Sequence, residues 1–262
     1  MQPMRFSGKT LLVTGGANGI GLATARRFAR EGANVALVDI AEEALQAAES
    51  ELQELGAETL TVVADAGSSV QVRDAVARVI DRLGGIDIAV AGAGRSAVNV
   101  DFRDLDDAEW DAVLRVNLTG GFVLGKAVAN HMIASGRAGS IIFISSVGAV
   151  LGVPTQAPYC VSKAGLGMLA KTMALSLAPH DIRVNAVGPG PIRTAMTEPV
   201  IADDTLRALM LSRTPLGRFG DVDEVAGVVA FLASADASFI TGQTIYPDGG
   251  RLALNYVVTP PA

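Results

Sequence analysis

Four lysines, three tyrosines, two histidines, one tryptophan and one cysteine are all that 262 residues contain of those types. The lone Cys160 excludes an intramolecular disulfide and agrees with a cytoplasmic address. So little histidine and cysteine, with no ligand spacing, leaves no metal site to expect. The arginines are dispersed without a basic run, and the net charge is −6 with a pI near 5.0, which argues against a nucleic-acid partner. The amino end, MQPMRFSGK, has no apolar run of the kind a secretory signal needs. The longest charge-free stretch, Ala138 to Ser162, matches a membrane span in length only. Pro154, Pro158 and several glycines and serines within it would leave backbone groups unpaired in lipid, so no membrane partner is expected. No internal repeat, low-complexity segment or linker is visible.

What the chain has is apolar: half its residues are hydrophobic. They fall in short runs at Thr10–Val13, Asn34–Val38, Thr59–Val63, Ile86–Ala91, Ser140–Ile144, Arg183–Val187 and Thr244–Tyr246. Longer helical patterns alternate with them, at Ile20–Glu31, Ala41–Leu55, Ser68–Leu83, Asp106–Ala134, Ala157–Leu177 and Asp221–Leu232. Gly32, Gly56 and Gly84 stand where helices should end. Runs that are apolar throughout are strands buried on both faces. The pattern predicts an α/β fold in one domain, a doubly wound parallel sheet of about seven strands with helices on both faces. Ligands bind such sheets beyond the carboxyl ends of the strands.

The first strand runs into Thr14-Gly-Gly-Ala-Asn-Gly-Ile-Gly21, and a helix opens inside it. Gly15 permits the turn, while Gly19 and Gly21 let backbone approach a pyrophosphate and helix approach strand. Asn18 and Ile20 lie within the turn. The free N–H groups of the helix amino terminus then face the phosphates, as in a Rossmann-like dinucleotide site. Asp39 ends the second strand 18 residues after Gly21, where a carboxylate can accept from the adenosine ribose hydroxyls. It would repel a 2′-phosphate, and no cation stands at Ala17, Asn18, Ile40 or Ala41. NAD is therefore expected over NADP. Asp65, at the end of the third strand, suits either a helix cap or an adenine contact.

Tyr159 precedes Lys163 by one helical turn, on one face. A phenol with a pKa near 10 is a poor base at pH 7. An ammonium at about 4 Å contributes about 4 kcal/mol at an effective dielectric near 20, nearly three pKa units. The spacing therefore predicts a phenol made acidic by its lysine and able to serve as a general acid and base. Cys160 is expected to pack, and His131 and His180 to lie at the surface or cap helix ends.

With these residues in place the chain resembles the short-chain dehydrogenase/reductase family over about residues 6 to 250. The Asp65-Ala66 pair, the Val90–Gly94 turn, Asn117 in V-N-L, Ser146 in I-S-S-V, Asn185–Gly190 and Thr241–Gly250 follow in the family's order. The resemblance implies Ser146, Tyr159 and Lys163 as catalytic residues with Asn117 as a fourth, and Ser146 rather than Ser145 because it stands 13 residues before the tyrosine. Ser146 would hold the substrate oxygen, Lys163 the nicotinamide ribose, and Asn117 a relay water. The resemblance also places Ala91, Gly92, Ala93, Pro189, Gly190, Ile192 and Thr194 along the cofactor. One departure stands out: Ala91-Gly92-Ala93-Gly94 replaces the family's usual N-N-A-G, so side-chain tethers of the fourth strand are missing.

The implied reaction is NAD-dependent hydride exchange with a small secondary alcohol or ketone, a sugar, polyol or compact cyclic ketone. The alternatives are an NADPH-dependent 3-oxoacyl reductase and a non-catalytic dinucleotide sensor. Residues 191–213 are expected to cover the site. Met196 and Gln156 are candidate substrate contacts beside Ser146 and Tyr159. Arg193, Arg207 and Arg213 could meet an anion, although each reads better as solvated. Family members are commonly homotetramers, and the apolar tail 251–262 is expected at a subunit contact or near a neighbouring active site.

Overall fold

The computed structural model describes residues 4–257. Its seven strands form one parallel sheet in the order β3-β2-β1-β4-β5-β6-β7. They are β1 Thr10–Thr14, β2 Asn34–Asp39, β3 Thr59–Val63, β4 Ile88–Ala91, β5 Gly139–Ile144, β6 Ile182–Val187 and β7 Thr244–Ile245. The chain runs outward through β2 and β3, then returns to place β4 on the other side of β1. That reversal opens a crevice at the carboxyl ends of β1 and β4, the switch point at which such sheets bind ligands.

Apolar side chains on both faces of the central strands require a helical layer on each side. One layer is α1 Gly19–Arg30, α2 Glu42–Glu54 and α9 Val222–Ala233, packed through Phe28, Leu45, Leu52 and Val229 onto Leu11, Val13, Val35 and Leu37. The opposite layer is α3 Ser69–Leu83, α5 Gly120–Ala134 and α6 Ala157–Leu177, packed through Val76, Val128, Met132 and Leu166 onto Leu12, Ile141, Phe143 and Val184. Ser68 caps α3 through the Gln71 amide, and Gly84 ends it in the left-handed region at φ 74°.

Three elements differ from the sequence pattern. The helix expected over Asp106–Ala134 is α4 Asp107–Leu114, a π turn at Arg115–Thr119, and α5. Hydropathy cannot register one extra residue in a turn, and such turns cluster at functional sites. The fourth strand starts at Ile88, because Asp87 turns its carboxylate back to the Thr10 amide at 3.0 Å. Residues 191–213 carry two short helices, α7 Glu198–Ala202 and α8 Asp204–Leu211, the second capped by Asp203 at the Leu206 amide. Neither buries a residue, so neither shows a core-facing period. The stretch Asp107–Ala134 is long and apolar enough to cross a membrane, yet half of its apolar window is buried within the fold.

Candidate active site

The glycine loop comes first because the rest of the cleft is built against it. The Gly15 amide donates to Val38 O at 2.8 Å, and the residue sits at φ 68°, where a Cβ would stand 2.8 Å from the Ala93 backbone. A Cβ on Gly21 would overlap the Gly15 carbonyl. Asn18 flanks α1 without a side-chain cap, so the first amides of that helix are left for a ligand. A backbone cradle of this kind, with no side chain filling it, fits a pyrophosphate. Gly21→Ala is expected to abolish coenzyme binding, checked by calorimetry with NAD; a variant that folds and binds NAD like the parent would refute this packing.

Asp39 ends β2 with one oxygen accepting from the Ala17 amide at 3.1 Å and the other from Ile40 and Ala41 at 2.7 and 3.1 Å. It thus ties the glycine loop to the start of α2 while lining the cleft. Among the described residues no cation pairs with it. Asp65 and Ala66 line an adjoining hollow with Ile40, Ala93 and Val116, where an adenine would lie. Asp65 accepts from the Gly67 amide at 2.7 Å and pairs with Arg115 at 3.1 Å, whereas Ser68 performs the helix capping.

The Ala91–Gly94 turn is tethered in another way than by its own side chains. Thr14 Oγ1 faces the Ala93 amide at 3.5 Å. Asn117, buried in the π turn, clasps the next residue: its Oδ1 accepts from Arg95 N at 2.8 Å and its Nδ2 donates to Arg95 O and Ser162 Oγ, each at 3.1 Å. Both amide protons are used, so only a lone pair on Oδ1 remains to hold a water. Gly94 lies close to both: a Cβ there would stand 3.3 Å from Lys163 Nζ and 3.5 Å from Asn117 Oδ1. Neither the Thr14 nor the Arg95 tether is signalled by the sequence.

Pro158 in the first turn of α6 suits a position that needs no amide donor, and it sets Tyr159 and Lys163 on the face turned to the cleft. The Lys163 ammonium is buried, donates to Ile144 O at 2.8 Å and lies 5.7 Å from the Tyr159 ring centre. Burial pulls its pKa down to about 8. The expected depression of the phenol by Lys163 is not found. Burial pushes the Tyr159 hydroxyl above its ordinary value, opposed by a hydrogen bond with Ser146. Desolvation disfavours a phenolate, and this ammonium is itself desolvated and held by a carbonyl.

Ser146 and Ser145 divide two tasks. Ser145 Oγ is buried and donates to Lys163 O at 2.8 Å, bracing the helix. Ser146 Oγ accepts from the Gly148 amide at 3.0 Å, which leaves its own proton to donate to Tyr159 or to a substrate oxygen in the cleft. Pro189, Gly190, Ile192, Thr194 and Met196 form the opposite wall. Ala91 is buried within β4, and Ala93 borders the hollow beside Asp65 and Ala66. Gln156 is not in the cleft: its amide donates to Asn99 Oδ1 at 2.9 Å, a pairing between distant loops that spacing cannot show. Cys160 packs near Leu151, His131 accepts from the Ile86 amide at 3.3 Å, and neither borders the cleft. No cluster of potential metal ligands occurs among the described residues.

A family model described as Enoyl-(Acyl carrier protein) reductase matches residues 15–251. The 3-oxoacyl-[acyl-carrier-protein] reductase FabG of Thermotoga maritima is 44% identical, over 94% of this chain and 99% of its own. The chain belongs to the short-chain dehydrogenase/reductase family. As a member it is an NAD(P)-dependent oxidoreductase acting on CH–OH groups. An NAD+-bound xylitol dehydrogenase superposes with a TM-score of 0.89 at 36% identity, covering 94% of this chain and all of the other. A gluconate 5-dehydrogenase from Burkholderia cenocepacia, in complex with NADP and tartrate, gives a TM-score of 0.91 at 37% identity, covering 96% and 98%. Short-chain dehydrogenases thus occur among its relatives with either coenzyme.

Proposed function

We propose that this short-chain dehydrogenase interconverts a small secondary alcohol and its ketone using NAD. The observation that carries the reading is the convergence of Ser146, Tyr159 and Lys163 at one end of a cleft whose other end is the glycine loop and Asp39. In oxidation, Ser146 donates to the substrate oxygen, where charge develops in the transition state. Tyr159 takes the hydroxyl proton, and in reduction it returns one. Lys163 holds positive charge near the phenol and would hold the nicotinamide ribose, and Asn117 keeps the 93–95 turn against α6. Bound NAD supplies the hydride acceptor and a positive ring beside the phenol. Residues 191–213 close over the substrate.

Asp39 supports the coenzyme assignment, since a carboxylate held by three amides cannot turn away from a 2′-phosphate. Like-charge juxtaposition of this kind costs several kcal/mol, so NAD should be preferred over NADP by about 100-fold in kcat/KM, and Asp39→Ser should lower that ratio at least tenfold. Steady-state rates at 340 nm with each coenzyme measure it, across sugars, polyols, hydroxy acids and cyclic alcohols. Equal use of both by the parent chain would reverse the assignment. A 3-oxoacyl reductase remains the second reading, favoured by the 44% identity to the Thermotoga enzyme. An NADPH preference together with turnover of a 3-oxoacyl thioester would select it.

A cytoplasmic homotetramer is part of the proposal. Phe122 on α5 and Met168 on α6 are exposed together beside a shallow surface groove with Leu118 and Leu169, as a self-association face requires. The tail expectation is carried by residues 251–257, where Tyr256 and Val257 are exposed; 258–262 lie outside the described residues.

A further inference from the structure

The substrate end of the cleft can be read for what it would recognise. Among the described residues the cleft is lined by two charged side chains. Asp39 is at the adenosine end, and Lys163 is buried with its ammonium on Ile144 O. The arginines nearest by sequence are engaged elsewhere. Arg95 pairs with Glu109 at 2.6 Å, Arg193 faces Asp221 at 3.8 Å, and Arg207 pairs with Asp204 at 2.7 Å. Among the described residues no cation besides Lys163 lines the cleft, and the exposed Arg213 stands outside that lining.

Several of the polar side chains around that end are partly committed to one another. Asn99 Oδ1 accepts from Thr155 and Gln156 at 3.2 and 2.9 Å, and Val100 N donates to Thr155 O at 3.3 Å. These bonds clasp the loop after β4 to the loop that joins Ser146 to Tyr159. On the opposite wall Thr197 Oγ1 donates to Ile192 O and accepts from Thr194 N. The bordering loops expose Val98 on the first and Val150 and Val153 on the second, alongside the polar Ser96, Asn99 and Thr155, and Met196 is exposed within the cleft, these four apolar side chains being between 41% and 61% exposed. Gly148 adds room, because a Cβ there would meet Ser146 Oγ and the Tyr159 ring at 3.4 Å.

We infer that the substrate is an uncharged alcohol or ketone with an apolar body, a compact cyclic one being the fit, and that Ser146 and Tyr159 are the only groups offered to its oxygen. A polyol would bring further hydroxyls against Val98, Val153 and Met196, and only those reaching Ser96, Asn99 or Thr155 would find a partner. A hydroxy acid would bury a carboxylate with no counter-charge. Both penalties act on binding and on the transition state alike. The inference rests on the function proposed above and narrows it.

The experiment is a kcat/KM comparison of the full chain with saturating NAD on 4-methylcyclohexanol, xylitol and gluconate, with NAD binding measured separately by calorimetry. The cyclic alcohol is expected to lead each of the others by about 100-fold. Xylitol or gluconate matching it, with NADH formed, overturns this inference and leaves the dehydrogenase assignment standing. NAD binding with no NADH from any alcohol, and no NADH consumption by the matching ketones, overturns both. Met196→Arg provides the second arm. It should raise turnover of 3-hydroxycyclohexanecarboxylate relative to 4-methylcyclohexanol by about tenfold. An unchanged ratio in a variant that binds NAD like the parent would remove Met196 from the substrate wall and the inference with it.

Discussion

Tyr159→Phe should lose about 10³-fold in kcat in both directions while binding NAD as tightly as the parent. The ring remains to pack, and only the proton that exchanges with the substrate oxygen is removed. Because burial holds the phenol above its ordinary pKa, the two directions should respond differently to pH between neutrality and that pKa. Reduction needs the protonated phenol and should stay level from neutral into alkaline solution. Oxidation needs the phenolate and should climb throughout that range. An oxidation rate that is flat from pH 7 to 10, or near-normal turnover by the phenylalanine variant, would remove Tyr159 from the proton path.

Lys163→Met should inactivate the enzyme and stabilise the fold without coenzyme. The ammonium is buried, and its pKa falls from 10.5 to about 8, a change worth about 3 kcal/mol against the folded state at neutral pH. Loss of the hydrogen bond to Ile144 O returns about 1 kcal/mol of that, so a net gain of about 2 kcal/mol is expected at pH 7. The sign with pH follows from which state binds the proton more tightly. Between about pH 8 and 10.5 the unfolded chain holds it and the folded chain does not. The parent is therefore destabilised in full below that window and relieved as pH rises through it. Urea unfolding at pH 7 and pH 10 should show the methionine variant ahead at the first and the gap closing at the second. A variant less stable at pH 7 would show that the ammonium is tolerated there by partners beyond Ile144 O. With NAD present the order should reverse, because the parent gains stability from a ligand the variant binds poorly.

Burial also explains why the Tyr159 phenol lies above its ordinary pKa and not below it. Coulomb attraction to the ammonium competes with the cost of removing a phenolate from water, and that cost depends on how deeply α6 sinks the ring. Four residues of separation determine that the two side chains share a face. They carry no information about depth, or about a carbonyl from β5 that occupies the ammonium.

Gln156 and Ser146 make the same point from opposite sides. Both precede Tyr159 in one segment and both looked available to a substrate. Ser146 is available because Gly148, two residues on, takes its acceptor side. Gln156 is not, because Asn99 reaches it from 57 residues away. Asn117 was legible as important through its resemblance, yet its clasp on Arg95 depends on a π turn that no hydropathy pattern distinguishes from ordinary helix.

The sequence by itself determined the strand alternation, the glycine turn with its acidic partner, and the tyrosine and lysine one helical turn apart. Each of these follows from constraints that act within a few residues: which side chains both faces of a strand can bury, which backbone angles only glycine tolerates, which positions share a helix face. The tertiary structure alone decided which polar groups are already spent, how far the Tyr159 and Lys163 protons are shifted, and that Gln156 turns from the cleft. Those outcomes depend on hydrogen-bond partners and water exclusion supplied by segments remote along the chain, which meet only once the sheet has brought them together.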